Sequence, residues 1–299
     1  MAHHDDLYRS PLSGRYASEP MRRVFSDRHR FETWRRMWTE LAAVQHEMGL
    51  SVHAEQVAAL RAAITITDQD LQVAAERERV VRHDVMAHVY AYGMAAPKAA
   101  GVIHLGMTSC DITDNAELIL IREAYDILRT RMVQVARQLA KFAQEYASTP
   151  ILGYTHYQPA MPTTLGKRAA GWLQDFWWVA QRLEETRETL PLRGLKGATG
   201  TQASFLALCG GDAAQVSELE RRWTERLGFS RTTPLTGQTY PRLLDVRVLE
   251  PLAQLADAAA KLANDVRLMA NQRELEEPFE SEQIGSSAMP FKRNPMRCE

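Results

Sequence analysis

Three stretches of the chain repeat apolar residues at alternating intervals of three and four positions. They cover residues 118–146, 165–190 and 248–269. This spacing places one apolar stripe along one face of a long helix and predicts a slight supercoil. At 1.5 Å per residue each helix would be about 40 Å long. Helices of this length in a soluble protein indicate a helical bundle.

The other faces of these predicted helices are not purely polar. Trp177, Trp178, Ile119 and Leu268 lie outside the main stripes. A helix that is apolar on more than one side is usually buried from several directions. We therefore expect these helices to be buried within a larger bundle that is shared between subunits.

The first 110 residues show shorter helical patterns, at residues 31–49 and 71–95, and Gly49 is a suitable C-terminal cap for the first. We find no convincing alternation typical of strands. The sequence therefore predicts an all-α fold, with a small N-terminal helical domain at residues 1–110. A central long-helix bundle follows at residues 111–299 and ends in a flexible loop at residues 283–295.

Composition and charge exclude several classes of protein. Of the 299 residues, 45 % are apolar and 24 % are charged, and the formal net charge is −1. These values are ordinary for a soluble globular protein and argue against nucleic-acid binding. Cys110, Cys209 and Cys298 are too few and too far apart for a disulfide framework or a zinc site. With no secretory signal and no membrane-spanning run, we expect a cytoplasmic protein.

Unusual polar residues precede the first long helix, in "GVIHLGMTSCDITDN". Thr108 and Ser109 would lie near the N-terminus of that helix, where free N–H groups and the helix dipole favour anions. The same residues could serve only as helix caps, and Asp111 or Thr113 could also cap the helix. Both interpretations stay open on this stretch alone.

Two histidines stand in polar surroundings. His156 lies in "GYTHYQPAMPTTLGKR", which we interpret as a loop, and could be a surface residue or a proton-transfer group. His83 and Asp84 lie in "RHDVMAH", on a predicted helix whose apolar face would be formed by Val81, Val85 and Val89. This places His83 and Asp84 outside that face, as exposed or site residues. His83 and His88 are not four positions apart, so we predict no zinc site there.

Two further loops flank the second and third long helices. The glycines of "LKGATGTQASF" could let the backbone approach a ligand closely, or could simply end helices. This stretch matches neither the P-loop nor the dinucleotide fingerprint. The segment "TGQTYPR" offers Gln238 as an amide donor.

The loop near the end of the chain carries the most specific signal. Residues 285–295, "GSSAMPFKRNP", fill every fixed position of a GSSxMPxKxNP motif, and the chain thereby resembles the fumarase/aspartase superfamily. The resemblance continues in order through "YRSPLSGRYAS", "RHDVMAHV", "IHLGMTSC", "GYTHYQPA", "KGATGTQASF" and "TGQTY". The combination is most similar to the members that cleave succinylated purine nucleotides.

This resemblance implies a β-elimination that breaks a C–N bond and releases fumarate. It implies Ser286 as the general base, on a loop that closes over the substrate, and His156 as the general acid. The substrate-binding residues that it implies are Arg15, Tyr16, Arg82, His83, Asp84, Thr108, Ser109, Gln238, Lys292 and Asn294. It gives no reason to expect a metal or an organic cofactor.

The resemblance also implies a partner: a homotetramer in which three subunits build each active site around a small anionic nucleotide. The superfamily continues beyond the position of Glu299, so we expect a longer gene product whose C-terminal part is missing here. Two alternatives stay open at this point. One is a non-catalytic structural relative, and the other is a sister lyase that acts on a different succinyl substrate.

Overall fold

A computed structural model describes Tyr8 and residues 10–299. In this part of the chain, a π-helical turn at Leu12–Tyr16 and a 3-10 turn at Pro97–Ala99 accompany ten α-helices and one β-hairpin. The elements in chain order are α1 (Glu19–Val24), α2 (Asp27–Glu47), α3 (Ala54–Ala62), α4 (Asp68–Val81), α5 (Asp84–Ala95), α6 (Ser109–Glu145), β1 (Pro150–Thr155), β2 (Gln158–Thr164), α7 (Leu165–Thr189), α8 (Ala203–Leu208), α9 (Ala213–Arg226) and α10 (Leu243–Gln272). The predominantly helical class predicted from the sequence is confirmed.

The three long predicted helices are present as α6, α7 and α10, with 37, 25 and 30 residues. Their apolar stripes account for the burial of Tyr125, Trp172 and Met269. Outside the stripes, Ile119 is buried, whereas Trp177 and Trp178 are 59 % and 57 % exposed in the single chain. The indole rings of these two tryptophans are therefore available to another surface.

The chain contacts divide the molecule into two compact units. The first unit comprises the chain up to Ile127 together with Thr189–Leu244, and the second comprises Leu128–Glu188 together with Asp245–Glu299. Residue 110, where the sequence predicted a domain boundary, lies inside the first unit. The predicted boundary between an N-terminal and a central domain stays a prediction.

The first unit is organised around aromatic residues of α2. Trp38 is 2 % exposed and packs beside Tyr92 of α5. The Tyr92 hydroxyl donates to the Leu60 carbonyl of α3 at 2.8 Å, and the Trp223 indole of α9 donates to the Met37 carbonyl at 3.0 Å. These bonds satisfy the polar atoms of large buried rings, so the rings can fill the core.

The second unit contains a core formed by α6, α7 and α10. Leu165, Ala169 and Trp172 of α7 pack with Val266 and Met269 of α10, and partly buried residues of α6 complete the cluster. The Trp172 indole donates to Asp265 Oδ2 at 2.8 Å. Ala169 is fully buried, which fits the close helix approach that a small residue allows.

The hairpin of β1 and β2 is a feature that the sequence did not predict. The two strands pair antiparallel from Pro150↔Thr164 to Thr155↔Gln158, with an irregularity between Leu152 and Tyr154. The interpretation of this stretch as a plain loop was wrong. Its prolines and Gly153 hide the alternation that usually reveals a strand.

The predicted helix at residues 71–95 is also interrupted. α4 ends at Val81, Arg82 adopts a left-handed conformation with φ 55°, and α5 begins at Asp84. The "RHDVMAH" motif therefore begins in a break between two helices rather than on one continuous helix. Neither glycine nor proline marks this break, so the sequence pattern gave no signal for it.

Candidate active site

His83 stands at the start of α5, where it caps the helix. The Met86 amide donates to His83 Nδ1 at 3.4 Å, and Ser109 Oγ lies 3.1 Å from His83 Nε2. The tautomer with hydrogen on Nε2 satisfies both contacts, with His83 donating to Ser109. The fold thus joins two predicted site residues that are 26 positions apart in sequence.

The start of α6 presents Thr108 and Ser109. The Thr108 amide donates to Asp111 Oδ2 at 2.8 Å, so Asp111 caps the helix from its first turn. The Ser109 hydroxyl is therefore free to contact His83 instead of capping the helix. Both Thr108 and Ser109 are half-buried at a helix N-terminus, where donors for an anion are concentrated.

Next to Ser109, the Cys110 thiol has a raised pKa, because burial and the nearby Asp114 carboxylate both disfavour the thiolate. Cys110 is therefore poorly suited to act as a nucleophile at this site.

Other predicted binding residues lie on the exposed surface of the first unit. Arg82 and Asp84 flank His83 on both sides and are solvent-exposed. Arg15 and Tyr16 lie in the π-helical turn, which has no buried residue, and Tyr16 is 72 % exposed. These side chains are accessible to a ligand.

Gln238 is exposed in the irregular segment that follows α9. Two residues later the chain is fixed, because the buried Tyr240 donates its amide to Asp114 Oδ2 at 2.9 Å. Asp114 belongs to the first turns of α6, the helix that also carries Ser109. The segment with Gln238 is therefore bound to the start of the same helix.

His156 occupies the turn of the β-hairpin. The pairing of Thr155 with Gln158 leaves His156 and Tyr157 as a two-residue loop, and their φ angles are 53° and 58°. Positive φ at both positions is the signature of a type I′ turn, which normally favours glycine or asparagine. A histidine in this turn has an exposed ring beside a 380 Å³ cavity that Arg168 and Asn264 also line.

The loop that contains Ser286 is irregular but closed. A Cβ atom at Gly285 would lie 2.1 Å from the Lys292 carbonyl oxygen, so the two arms of the loop meet at a residue that must be glycine. Ser286 Oγ accepts the Met289 amide at 3.2 Å and the Ala288 amide at 3.4 Å. These two bonds place backbone N–H groups beside the hydroxyl oxygen, a pattern that serine commonly forms in turns.

Lys292 and Asn294 follow Ser286 on the same loop. Lys292 is exposed and makes no ion pair with the residues that the structure describes, whereas Asn294 is half-buried. The neighbouring Arg297 is paired with Glu280 at 2.6 Å.

Glu277 holds the base of this loop in place. Burial raises the pKa of its carboxyl, but hydrogen bonds from Cys298 and Arg297 outweigh this effect and leave the pKa below its usual value. The Cys298 and Arg297 amides donate to it at 2.8 and 3.1 Å. Glu277 therefore carries its charge at neutral pH. Its hydrogen bonds go to Arg297 and Cys298 and leave the Lys292 side chain accessible to an anion.

Within a single chain the two predicted catalytic residues line different cavities. His156 lines the cavity described above, and Ser286 lines another of 630 Å³ together with Phe279, Pro290 and Arg293. The two sets of lining residues have no member in common. Among the described residues, the structure therefore joins His83 to Ser109, whereas His156 and Ser286 line two different cavities.

In the described part of the chain, no group of three or more His, Cys, Asp or Glu side chains is placed to hold a metal ion. Over the same residues, no helix combines the length and the apolar character needed to cross a bilayer. Sequence reasoning missed the buried side chain of Arg193 and considered its partner Asp111 only as a helix cap. No local pattern reveals such a pair, because its members are 82 positions apart.

Comparison with known proteins defines the class. A family described as "Lyase" matches residues 14–299, and the chain therefore belongs to this lyase family. The match confirms the resemblance to the fumarase/aspartase superfamily that the motifs indicated. A solved structure of 3-carboxy-cis,cis-muconate lactonizing enzyme from Pseudomonas putida is similar with a TM-score of 0.82 and 28 % identity, over 96 % of this chain and 63 % of that one.

The relatives at higher identity carry one name. The chain is 54 % identical over 295 residues to the adenylosuccinate lyase of Saccharomyces cerevisiae, and 50 % identical over 293 residues to that of Schizosaccharomyces pombe. In both comparisons the match covers 98 % of this chain. The chain spans 61 % of the length of these two relatives.

Proposed function

We propose that this protein cleaves adenylosuccinate to AMP and fumarate, and cleaves the succinylated aminoimidazole carboxamide ribotide of purine biosynthesis in the same way. The observation that carries this proposal is the 54 % identity to an adenylosuccinate lyase over nearly the whole chain. The complete GSSAMPFKRNP loop supports it, because a non-catalytic relative would have no need to keep that loop intact.

The reaction requires a base for a weakly acidic proton next to a carboxylate. In the proposal Ser286 takes this proton, and the two amides that donate to its Oγ stabilise the negative oxygen. The carbanion delocalises into the carboxylate, where positive charge and hydrogen-bond donors must be in place. Lys292 and Asn294, on the same loop, supply them in the proposal.

The leaving nitrogen requires a proton from a general acid. His156 is proposed for this step, because an imidazole side chain is suited to proton transfer near neutral pH and the His156 ring is exposed at the turn of the hairpin. The type I′ turn fixes the direction in which the ring leaves the backbone, which limits the orientations that the proton donor can adopt.

The remaining residues are proposed to bind the substrate. Thr108 and Ser109 would hold a carboxylate at the α6 N-terminus, and the proton on His83 Nε2 would orient the Ser109 hydroxyl. Gln238 would add an amide contact. The residues proposed for the nucleotide part are Arg15, Tyr16, Arg82 and Asp84.

We also propose that the active enzyme is a cytoplasmic homotetramer with sites shared between copies. The separate cavities of His156 and Ser286 support sharing, because within one chain the proposed acid and base line different cavities. Exposed Trp177 and Trp178 on α7, and Val246 and Leu249 on α10, offer apolar surface to neighbouring copies. The free cysteines are compatible with a reducing compartment.

The test is direct. Full-length purified protein is mixed with adenylosuccinate, and the ultraviolet change that accompanies AMP formation is followed. Turnover with fumarate and AMP as products is the expected result. Absence of turnover with adenylosuccinate, combined with turnover of another succinyl compound, would show that the protein is a sister lyase.

A further inference from the structure

The polar loops of the first unit converge on one buried ion pair. Asp111, in the first turn of α6, and Arg193, after α7, are both 0 % exposed and contact each other. Burial of two charges is unfavourable unless their remaining hydrogen bonds are well satisfied. The contacts of this pair therefore show what it holds in place.

Asp111 connects two loops through its two carboxylate oxygens. Oδ2 accepts the Thr108 amide at 2.8 Å. Oδ1 accepts the Lys196 and Gly197 amides at 2.9 and 3.1 Å, in addition to the Arg193 guanidinium. One side chain thus joins the segment before α6 to the glycine-containing segment at residues 194–202.

Arg193 extends the connection to a third loop. Its Nη2 donates to the Gly197 carbonyl at 2.8 Å and to the Gly237 carbonyl at 3.2 Å. Gly237 directly precedes Gln238. The guanidinium therefore fixes the backbone from which Gln238 projects.

The three loops also touch one another around this pair. A Cβ at Gly200 would lie 1.9 Å from the Thr236 carbonyl oxygen, so only glycine allows the second and third loops to meet. Ser204, on α8 directly after the second loop, donates its hydroxyl to the Gly106 carbonyl at 2.6 Å, which joins the end of the second loop to the first. The loops form one connected set, with the ion pair as its shared centre.

We propose that Asp111 and Arg193 are a positioning pair for substrate binding. They are too deeply buried to touch the substrate, and they act by fixing the backbones that carry Thr108, Ser109 and Gln238. This inference rests on the proposed function, because it assigns those three side chains to the substrate. Loss of either charge disrupts the connection among the three loops, since Asp111 bonds the first two, Arg193 bonds the second and third, and the two side chains bond each other.

The primary variant is Asp111→Asn, which keeps the shape of the side chain but replaces one acceptor oxygen by an NH₂ donor. That donor must face either the Thr108 amide or the amides of Lys196 and Gly197, and two donors cannot bond to each other. The matched control is Asp70→Asn, which alters a second, less deeply buried ion pair of the first unit. There Arg35, 2 % exposed, pairs with Asp70 at 3.2 Å.

In the full-length enzyme we expect Asp111→Asn to raise the KM for adenylosuccinate about tenfold or more, because misplaced binding groups weaken substrate capture. We expect kcat to change much less. Amide hydrogen exchange should accelerate together at residues 106–109, 196–200 and 236–238. Asp70→Asn should lower the unfolding midpoint but leave KM and exchange in these loops unchanged.

An unchanged KM in Asp111→Asn, with a fall in unfolding midpoint like that of Asp70→Asn, would overturn the positioning role. Faster exchange in only one of the three loops would overturn it as well. If Asp111→Asn does not fold, Arg193→Lys replaces it, since one ammonium cannot bond Asp111, Gly197 and Gly237 in the geometry of a guanidinium. The same rise in KM and the same joint exchange are expected there, and their absence contradicts the proposal.

The exchange measurement also separates this inference from the proposed function. If wild-type protein does not act on adenylosuccinate, the proposed function fails. Amide hydrogen exchange in Asp111→Asn, compared with Asp70→Asn, then still decides whether the ion pair fixes the three loops.

Discussion

The two units carry their predicted site residues in different ways. In the first unit, Thr108, Ser109 and Gln238 project from loops that are bonded to the buried side chains of Asp111 and Arg193. In the second unit, His156 and Ser286 lie on a hairpin tip and a terminal loop, and their positions depend mainly on local backbone turns.

This difference fits the two tasks of the proposed elimination. Groups that recognise the substrate benefit from a rigid arrangement before binding, since no ordering is then needed when the ligand arrives. Groups that move protons can lie on segments that close after binding and exclude water. Buried charges hold the loops with the proposed binding groups of the first unit. Turn geometry and glycine determine the backbone around the proposed proton-transfer groups of the second unit.

The largest effect is expected from removal of the proposed base, Ser286. Ser286→Ala should lower kcat about 10²–10⁴-fold, the usual contribution of a positioned proton-transfer group. Its unfolding midpoint should stay near that of wild type, because Ser286 makes only local hydrogen bonds on its own loop. Steady-state kinetics with adenylosuccinate and thermal unfolding measure the two quantities.

The neighbouring hydroxyl provides the control. Ser287 is exposed, and Ser287→Ala should reduce kcat far less than Ser286→Ala. The reverse order of effects would assign the base to Ser287 instead.

A smaller loss of activity is expected when the two arms of the loop that contains Ser286 are forced apart. Gly285→Ala places a methyl group where the Lys292 carbonyl oxygen lies, so the two arms of the loop must separate. We expect kcat to fall about tenfold to a hundredfold, since a displacement of about 1 Å can cost that much. A kcat equal to that of wild type would show that activity does not depend on the contact between the two arms of this loop.

Acid should destabilise the first unit because it buries neutral histidines. Burial, reinforced by the nearby Arg35, lowers the pKa of His88 from 6.5 to about 4, and burial likewise lowers the pKa of His104 to about 4. Between pH 6.5 and 4 the unfolded chain binds more protons than the native chain. Stability is therefore lost as the pH falls through this window, by about 1.4 kcal/mol per pH unit for each histidine.

Urea unfolding at pH 7 and pH 5 measures this loss. His88→Phe retains a ring against Phe31, which stacks on His88 with ring centroids 3.7 Å apart, but removes the titrating group. The variant should be less sensitive to pH than wild type. Equal sensitivity in the two proteins would exclude His88 as a source of the acid effect.

The smallest effect is expected at the hairpin tip. Tyr157 has φ 58° in a type I′ turn, a conformation that glycine adopts without the cost imposed by a Cβ atom. Relief of the left-handed conformation is worth about 1–2 kcal/mol and the extra entropy that glycine loses on folding costs about 0.5–1 kcal/mol, so Tyr157→Gly should raise the free energy of unfolding by about 0.5–1 kcal/mol, measured by urea denaturation. A decrease would mean that the Tyr157 side chain contributes more to stability than the turn conformation costs.

The sequence was most informative where one pattern is sustained over many residues. The heptads of α6, α7 and α10 predict those helices because a long apolar stripe has few alternative structures. The hairpin at residues 150–164 escaped prediction because proline and glycine interrupt the alternation of its strands. The break at Arg82 escaped because nothing in the local sequence marks it.

The residues of the candidate site were predicted for a different reason. Residues such as Ser286 and His83 were identified by motif resemblance, and the structure adds the contact between His83 and Ser109. The link from Asp111 to Arg193 could not be predicted, since it depends on how distant segments pack. Local sequence patterns predict secondary-structure elements. Buried polar contacts between distant residues depend on the tertiary fold and cannot be predicted in this way.

The most direct test of the account concerns the sharing of one site between copies. The inactive variants Ser286→Ala and His156→Gln are mixed, dissociated, reassembled and assayed with adenylosuccinate. If acid and base come from different copies, random assembly should restore about a quarter of wild-type activity, because that fraction of sites receives both intact residues. Activity that stays at the level of the separate variants, in mixtures shown to contain mixed oligomers, would contradict the account.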